Sequence, residues 1–341
     1  MNGSIRSGVL AAGNWVLDHV KIIDTYPPQD ALATILGESY GNGGGGYNVL
    51  KNLARLGAPF PLHGIGLVGD DEAGARILAD CRAHHIDTSQ LRVTRDAPTS
   101  YTDVMTVQST GRRTFFHQRG ANARLGPEHM DFDATRARIF FLGYLLLLDR
   151  LDELHGGVPV AREVFARARA AGLVTALDMV SDNSDRFAPI VAPVLPLVDC
   201  CFANDFEAEK LTGIAVRAGG QLRSAAVAAA AEKLIGMGVR QWAVIHFPEG
   251  AHARSATGET LWQGSVRVPP QDIRGAAGAG DALSAGVLLG QHEGWPMQQS
   301  LRLGVCAAAA SLHHETCSAA IGSIASCFEL GQTHGYRPLT S

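Results

Sequence analysis

The sequence predicts an α/β fold: a mostly parallel sheet with helices on both faces, beside a small separate β-sheet. Three observations lead there. Short apolar runs alternate with helix-like segments for most of the chain. Those runs are continuously apolar rather than strictly alternating, the pattern of strands covered on both faces. Two segments, 20–37 and 93–117, break the rhythm with Thr, Tyr, Val and charged residues, and read as the small sheet. The 341 residues suffice for one large domain or two smaller ones. With no internal repeat and no low-complexity linker, one core domain over residues 1–341 fits better.

The elements follow in order. Ser7–Ala12 is the first strand candidate. Tyr47–Leu56 places Val49, Leu50, Leu53 and Leu56 on one helical face, and Gly57 follows as a C-terminal cap. Phe60–Ile65 is a strand, and Glu72–His84 a helix opened by the N-cap residues Asp70-Asp71. Tyr101–Gln108 and Arg113–His117 flank the turn-like Ser109–Arg112, which predicts a hairpin. Strands are further expected at Ile139–Leu142, Leu173–Met179, Val198–Ala203 and Trp242–Phe247. Helices are expected at Val160–Ala171, Asp205–Leu211, Ser224–Met237, Asp281–His292 and Met297–His313. Such alternation implies parallel strands with helical crossovers.

Composition excludes several classes. The chain is 46% hydrophobic and 18% charged with net charge −4, so it lacks the basic footprint of a nucleic-acid binder. The longest strongly apolar run, Tyr144–Leu148, is far too short to span a bilayer, and no membrane partner is expected. Ala225–Ala231 is followed by Glu232-Lys233 and reads as a packed helix. Met1–Val9 has no long apolar core, which argues against a secretory leader. Six cysteines (Cys81, Cys200, Cys201, Cys306, Cys317, Cys327) are too sparse for a disulfide scaffold, so a cytoplasmic protein with buried thiols is expected. The 13 histidines include the adjacent pairs His84-His85 and His313-His314 but no His-Glu-x-x-His pattern, which argues against a histidine metal site.

Chemistry concentrates in two glycine-rich stretches. Gly275-Ala-Ala-Gly-Ala-Gly-Asp281 feeds directly into a small-residue helix. A helix start has unpaired N–H groups and a positive dipole end, so it binds anions. A carboxylate there repels phosphate, which makes sense if Asp281 does proton chemistry beside it. Gly43-Gly-Gly-Gly-Tyr-Asn48 precedes the Tyr47–Leu56 helix, and reads either as a flexible cap or as a backbone surface for a polyhydroxylated ligand. Gly64-Ile-Gly-Leu-Val-Gly69 fits a dinucleotide fingerprint with Asp87 downstream, but Gly41–Gly46 fits it too, which shows how weak the pattern is among 39 glycines. No Gly-Lys dipeptide occurs, which excludes a Walker-A loop.

Together the motifs resemble the ribokinase (PfkB) family of carbohydrate and nucleoside kinases. Gly43-Gly44 through Asn48 resembles its N-terminal signature, and Gly278-Ala-Gly-Asp281 its C-terminal one. Gly64–Asp71 looks like the stretch after the first signature; Asn204-Asp-Phe-Glu207 resembles its Asn-x-x-Glu motif. The four occur in the family's order over roughly residues 8–325. The resemblance implies a ribokinase-like three-layer αβα sandwich with a small β-sheet lid inserted at about 20–37 and 93–117. It implies an ATP-dependent phosphotransferase acting on a hydroxyl of a small sugar or sugar derivative, with Mg²⁺. Asp281 would be the general base, with Gly278, Ala279 and Gly280 forming the anion hole. Asp18, Asn14, Gly43, Gly44, Asn48 and Arg119 would line the sugar site. Asn204 and Glu207 would lie near the phosphates, Glu207 ordering Mg²⁺ through water, and His246–Gly250 would meet the nucleotide. The lid would close over the sugar and could form a homodimer contact.

The departures are informative. The family's Asp-Thr upstream of its final signature is replaced by Gly275-Ala276-Ala277, so its monovalent-cation loop does not carry over. Phe247 replaces a common nucleotide-loop glycine, and Gly45 a side chain between the signature glycines. Trp15 reads either as a sugar-stacking or as a core residue, and Asp178, at a strand end, as a pocket residue. The rival readings are a nucleoside kinase of the same fold, a catalytically silent sugar- or nucleotide-binding protein, and an NAD enzyme.

Overall fold

The computed structural model describes residues 6–339. In chain order its main elements are β1 (Val9–Gly13), β2 (Val16–Ile23), β3 (Ile35–Gly43), α1 (Gly45–Leu56), β4 (Leu62–Gly69), α2 (Glu72–Ala83), β5 (Ile86–Thr94), β6 (Ser100–Val107), β7 (Arg113–Gln118), β8 (Ile139–Leu145) and α3 (Ala161–Ala170). They continue with β9 (Val174–Met179), β10 (Cys200–Asn204), α4 (Asp205–Thr212), α5 (Ser224–Gly236), β11 (Trp242–Phe247), β12 (Gly250–Ser255), β13 (Thr260–Gly264), α6 (Ala279–His292), α7 (Met297–Ser311) and α8 (Ile324–His334).

A nine-stranded sheet runs in the order β13-β12-β11-β10-β9-β8-β1-β4-β5. Every pairing from β11 to β5 is parallel; β12 and β13 add an antiparallel edge. Alternate residues of a strand face opposite sides, and β1 feeds two cores accordingly. Val9 and Ala11 join α1, α2, α6 and α7 on one face, while Leu10 and Ala12 join α3, α4 and α5 on the other. The result is the three-layer α/β architecture that the alternation predicts.

A second, four-stranded sheet has the order β3-β2-β6-β7, with β2 and β6 parallel and the outer pairings antiparallel. It takes Val16–Gly43 and Ser100–Gln118, shifted from the expected segments. Val93 and Thr94 belong instead to β5 of the large sheet, an edge strand whose mostly exposed residues disguise it in the sequence. Among the described residues, β12, β13 and α8 were also unforeseen. The β12 residues Gly250–Ala253 are buried by position rather than by hydrophobic type. Trp15 is a core residue: it is fully buried, stacks on Tyr47 and donates its indole N–H to the Ile65 carbonyl at 2.8 Å. Of Met1–Val9, where no secretory leader is expected, residues 1–5 lie outside the described residues. No helix among the described residues is long and apolar enough to cross a membrane.

Candidate active site

Parallel sheets put their sites at the carboxyl ends of the strands. Here that edge carries Asn14 after β1, Tyr144 near the end of β8, Asp178 in β9, Asn204 closing β10 and His246 in β11. The start of α6 points into the same region. Its N-cap, Gly278, has φ 73°, a left-handed conformation that glycine adopts at no steric cost. The N–H groups of Gly280 and Asp281 have no backbone acceptor among the described residues, whereas that of Ala279 approaches Ala276 O at 3.4 Å.

Asp281 lies in this first turn and is only 4% exposed. Its Oδ2 accepts a hydrogen bond from Asn48 Nδ2 at 2.8 Å. The Tyr144 hydroxyl donates to both Oδ1 and Oδ2 at 2.7 Å. Burial pushes the Asp281 carboxyl up to about 6, opposed by those hydrogen bonds. Asn48 is held in turn by Asn42, whose Nδ2 donates to Asn48 Oδ1 at 2.7 Å.

The small sheet brings the second carboxylate. Asp18 on β2 faces Gly43, where an added Cβ would sit 2.3 Å from its Oδ1; only a glycine permits that approach. Cys317 Sγ lies 3.9 Å from Asp18 Oδ2. Burial lifts Asp18 to about 7, and the Asp281 charge adds to the rise. Gly44 caps α1 beside Asn14. Asn14 is engaged structurally: its Oδ1 accepts from Tyr144 N at 2.6 Å, and its Nδ2 donates to Leu147 O at 3.0 Å. Arg119 does not reach this group; it pairs with Asp149 at 2.5 Å.

At the other end of the edge, Asn204 and Glu207 form a capping box at the start of α4. Asn204 Oδ1 accepts from Glu207 N at 2.9 Å, and Glu207 Oε2 accepts from Asn204 N at 2.8 Å. Glu207 Oε1 also accepts from Ser181 Oγ at 2.8 Å and from Asn204 Nδ2 at 2.9 Å. Burial raises Glu207 to about 7 and holds Asp178 well above the carboxylate range, with Glu207 and Asp281 adding repulsion at Asp178. The His246 ring packs on the α6 start, with Cε1 2.9 Å from where a Gly280 Cβ would be, and burial pushes it down to about 4. Gly250 pairs with Phe247 to close the β11–β12 turn.

Two residues were missed in the sequence. Tyr144 had been counted as the start of an apolar run; its place at a strand's carboxyl end was the available signal. Arg113, on β7, has a buried Nη1 without a partner and approaches the α6 loop, 3.6 Å from where a Gly275 Cβ would be. Its register with Thr106 puts it on the same face of the small sheet as Asp18 and Thr102. No sequence signal separates it from Arg112.

Comparison with known proteins bears on the fold and the family. Ribokinase of Staphylococcus aureus (strain COL) is 28% identical over 209 residues, covering 61% of this chain and 64% of that enzyme, so the match spans just under two thirds of the relative. The structure of Arabidopsis thaliana ribokinase complexed with ribose and ATP superposes with a TM-score of 0.76 at 22% identity, covering 95% of this chain and 98% of that one. Burkholderia thailandensis nucleoside kinase in complex with inosine gives a TM-score of 0.74 at 17% identity, covering 97% and 100%. At these identities the two structures speak to the fold alone. The model of the pfkB family carbohydrate kinases matches residues 12–322. With nine-tenths of its length inside that match, the chain belongs to the pfkB family of carbohydrate kinases.

Proposed function

We propose that the protein transfers the γ-phosphoryl group of ATP to a hydroxyl of a small sugar or sugar derivative. The observation that carries this reading is Asp281: a buried carboxylate in a helix's first turn, aimed by Asn48 and Tyr144, next to N–H groups with no backbone acceptor among the described residues. Asp281 takes the acceptor's proton as the new O–P bond forms and the bond to ADP breaks. The N–H groups of Gly280 and Asp281 stabilise charge on the transferring group, each worth about 3 kcal/mol when well aimed. Ala279 contributes less, because its N–H already approaches Ala276 O.

The acceptor lies between Asp18, Gly43, Gly44, Asn48 and Asp281. Asp18, held near neutral pH by burial, can accept from or donate to a sugar hydroxyl. Asn14 shapes the wall, while Arg119 is engaged by Asp149 away from it. Asn204, His246 and Gly250 lie on the nucleotide side. Glu207 suits an indirect hold on Mg²⁺, because both its oxygens already accept hydrogen bonds. When bound, the ion would supply positive charge that offsets that of the phosphates. The small sheet acts as a lid that excludes water, and its outward face is the surface for a homodimer.

The test is ADP release from Mg·ATP across sugars, sugar acids and nucleosides, beside Asp281→Asn. Acceptor-dependent turnover that collapses about a hundredfold or more in the variant supports the reading. Turnover on nucleosides alone would move the substrate class. Binding without turnover in both proteins would replace the kinase with a silent binder.

A further inference from the structure

Asp281 has two oxygens and a crowded set of neighbours, and their arrangement distinguishes the two oxygens. A carboxylate oxygen offers about two acceptor positions. Oδ2 accepts from Asn48 Nδ2 at 2.8 Å and shares the single Tyr144 hydroxyl proton, 2.7 Å away, with Oδ1. Oδ1 has that shared proton alone and so keeps the more open position. From this geometry we propose that Tyr144 is a positioning residue for Asp281, fixing its plane and leaving Oδ1 as the atom that receives the acceptor's proton. The proposal rests on the kinase reading and names a part that the motif residues do not include.

Tyr144 is itself held. Its backbone N–H donates to Asn14 Oδ1 at 2.6 Å, which ties the end of β8 to the turn after β1. Asn14 therefore acts on the base through Tyr144. Burial and the nearby Asp281 and Asp178 charges keep the phenol protonated, so it remains a donor.

The surroundings explain why such a donor is needed. Groups facing Asp281 come from every packed element: Asp18 on β2, Tyr144 on β8, Asp178 on β9, Glu207 on α4 and Cys317 ahead of α8. Arg113 on β7 balances Asp18 and Cys317 rather than Asp281. The hydrogen bonds from Tyr144 and Asn48 are the contributions that favour the ionised base against burial. A general base must be ionised to work, so the phenol does both jobs: it aims the carboxylate and keeps it ready.

The experiment compares wild type, Tyr144→Phe and Asp281→Asn, using an acceptor found by the ADP-release panel. The pH profile of kcat/KM is measured from pH 5 to 9, with acceptor binding by calorimetry at pH 8 and thermal unfolding as the fold control. A hydrogen bond to a charged group is worth about 1.5–3 kcal/mol, so Tyr144→Phe should move the acid limb upward by roughly one pH unit. That is about a tenfold loss at the acid end, shrinking at high pH, with binding unchanged. Replacing Tyr144 with a fluorotyrosine, a stronger donor, should move the limb the other way, which structural damage would not do. An unmoved limb in both variants beside an inactive Asp281→Asn overturns the role of Tyr144 alone. A tenfold loss of acceptor binding with an unmoved limb overturns it too, making Tyr144 a substrate contact. Wild-type turnover in Asp281→Asn would remove the base, and this proposal with it.

Discussion

The two sheets meet the same site with opposite construction. The large sheet is covered on both faces, and each residue of β1 is fully buried or nearly so. Its edge carries Asp178 and Asn204, with His246 packed on the α6 start that holds Asp281. The small sheet turns one face to the site, through Asp18, Thr102 and Arg113, and leaves aromatic and aliphatic groups outside. Tyr40 is 54% and Phe116 50% exposed. On the proposed reading, chemistry, which needs fixed geometry, would sit on the buried sheet, and selection of the acceptor on the half-covered one.

That division can be broken in order of effect. The largest loss is expected for Asp281→Asn, with kcat down at least about a hundredfold and acceptor affinity retained, as read by ADP release and calorimetry. Gly43→Ala tests the other sheet: its Cβ would collide with the Asp18 carboxylate. The expected result is a roughly tenfold rise in acceptor KM with kcat nearly kept, the signature of lost uniform binding. An equal loss in kcat would show that the small sheet also serves the chemical step.

Acidity sharpens the contrast. Asp281 is pushed up to about 6 and must be ionised, so kcat/KM should fall as pH drops below about 6. Asp18, pushed up to about 7, binds its proton more tightly in the folded chain than in the unfolded one. Its contribution to stability is therefore present at low pH and lost as pH rises from the ordinary value toward 7. Asp18→Asn should melt higher than wild type at pH 8, by a few degrees, and the gap should close at pH 4. The smallest effect belongs to the outward face. Phe116→Ser should change stability by no more than about 0.5 kcal/mol and leave turnover intact; sedimentation would reveal whether it dissolves a dimer.

Legibility in the sequence followed the same line. The large sheet's inner strands are apolar runs, and Trp242–Phe247 was placed to the residue. The helix start at Glu72 was marked by its cap, Asp71. The small sheet was found but shifted, because its alternating residues resemble those of the edge strand β5. Asp281 and Asn48 are brought together as the glycine motifs implied, 2.8 Å apart. Tyr144 and Arg113 stayed hidden, since a phenol or guanidinium reaches a site only through tertiary register. Asn14 lies beside Gly44 and Tyr144 but is occupied by hydrogen bonds that no spacing rule announces, and Arg119 is drawn away to Asp149.

The capping box at α4 carries a warning for anyone scanning this protein by mutation. Glu207 closes the start of a helix with the same oxygens that would serve the nucleotide side. Replacing it should fray α4 and, on the proposed reading, disturb ligand contacts in one stroke, so a selection scored on growth alone would register folding failure as lost chemistry. At such positions a residue persists under two independent demands, and only separate measurements of yield and turnover can tell which demand a given replacement failed.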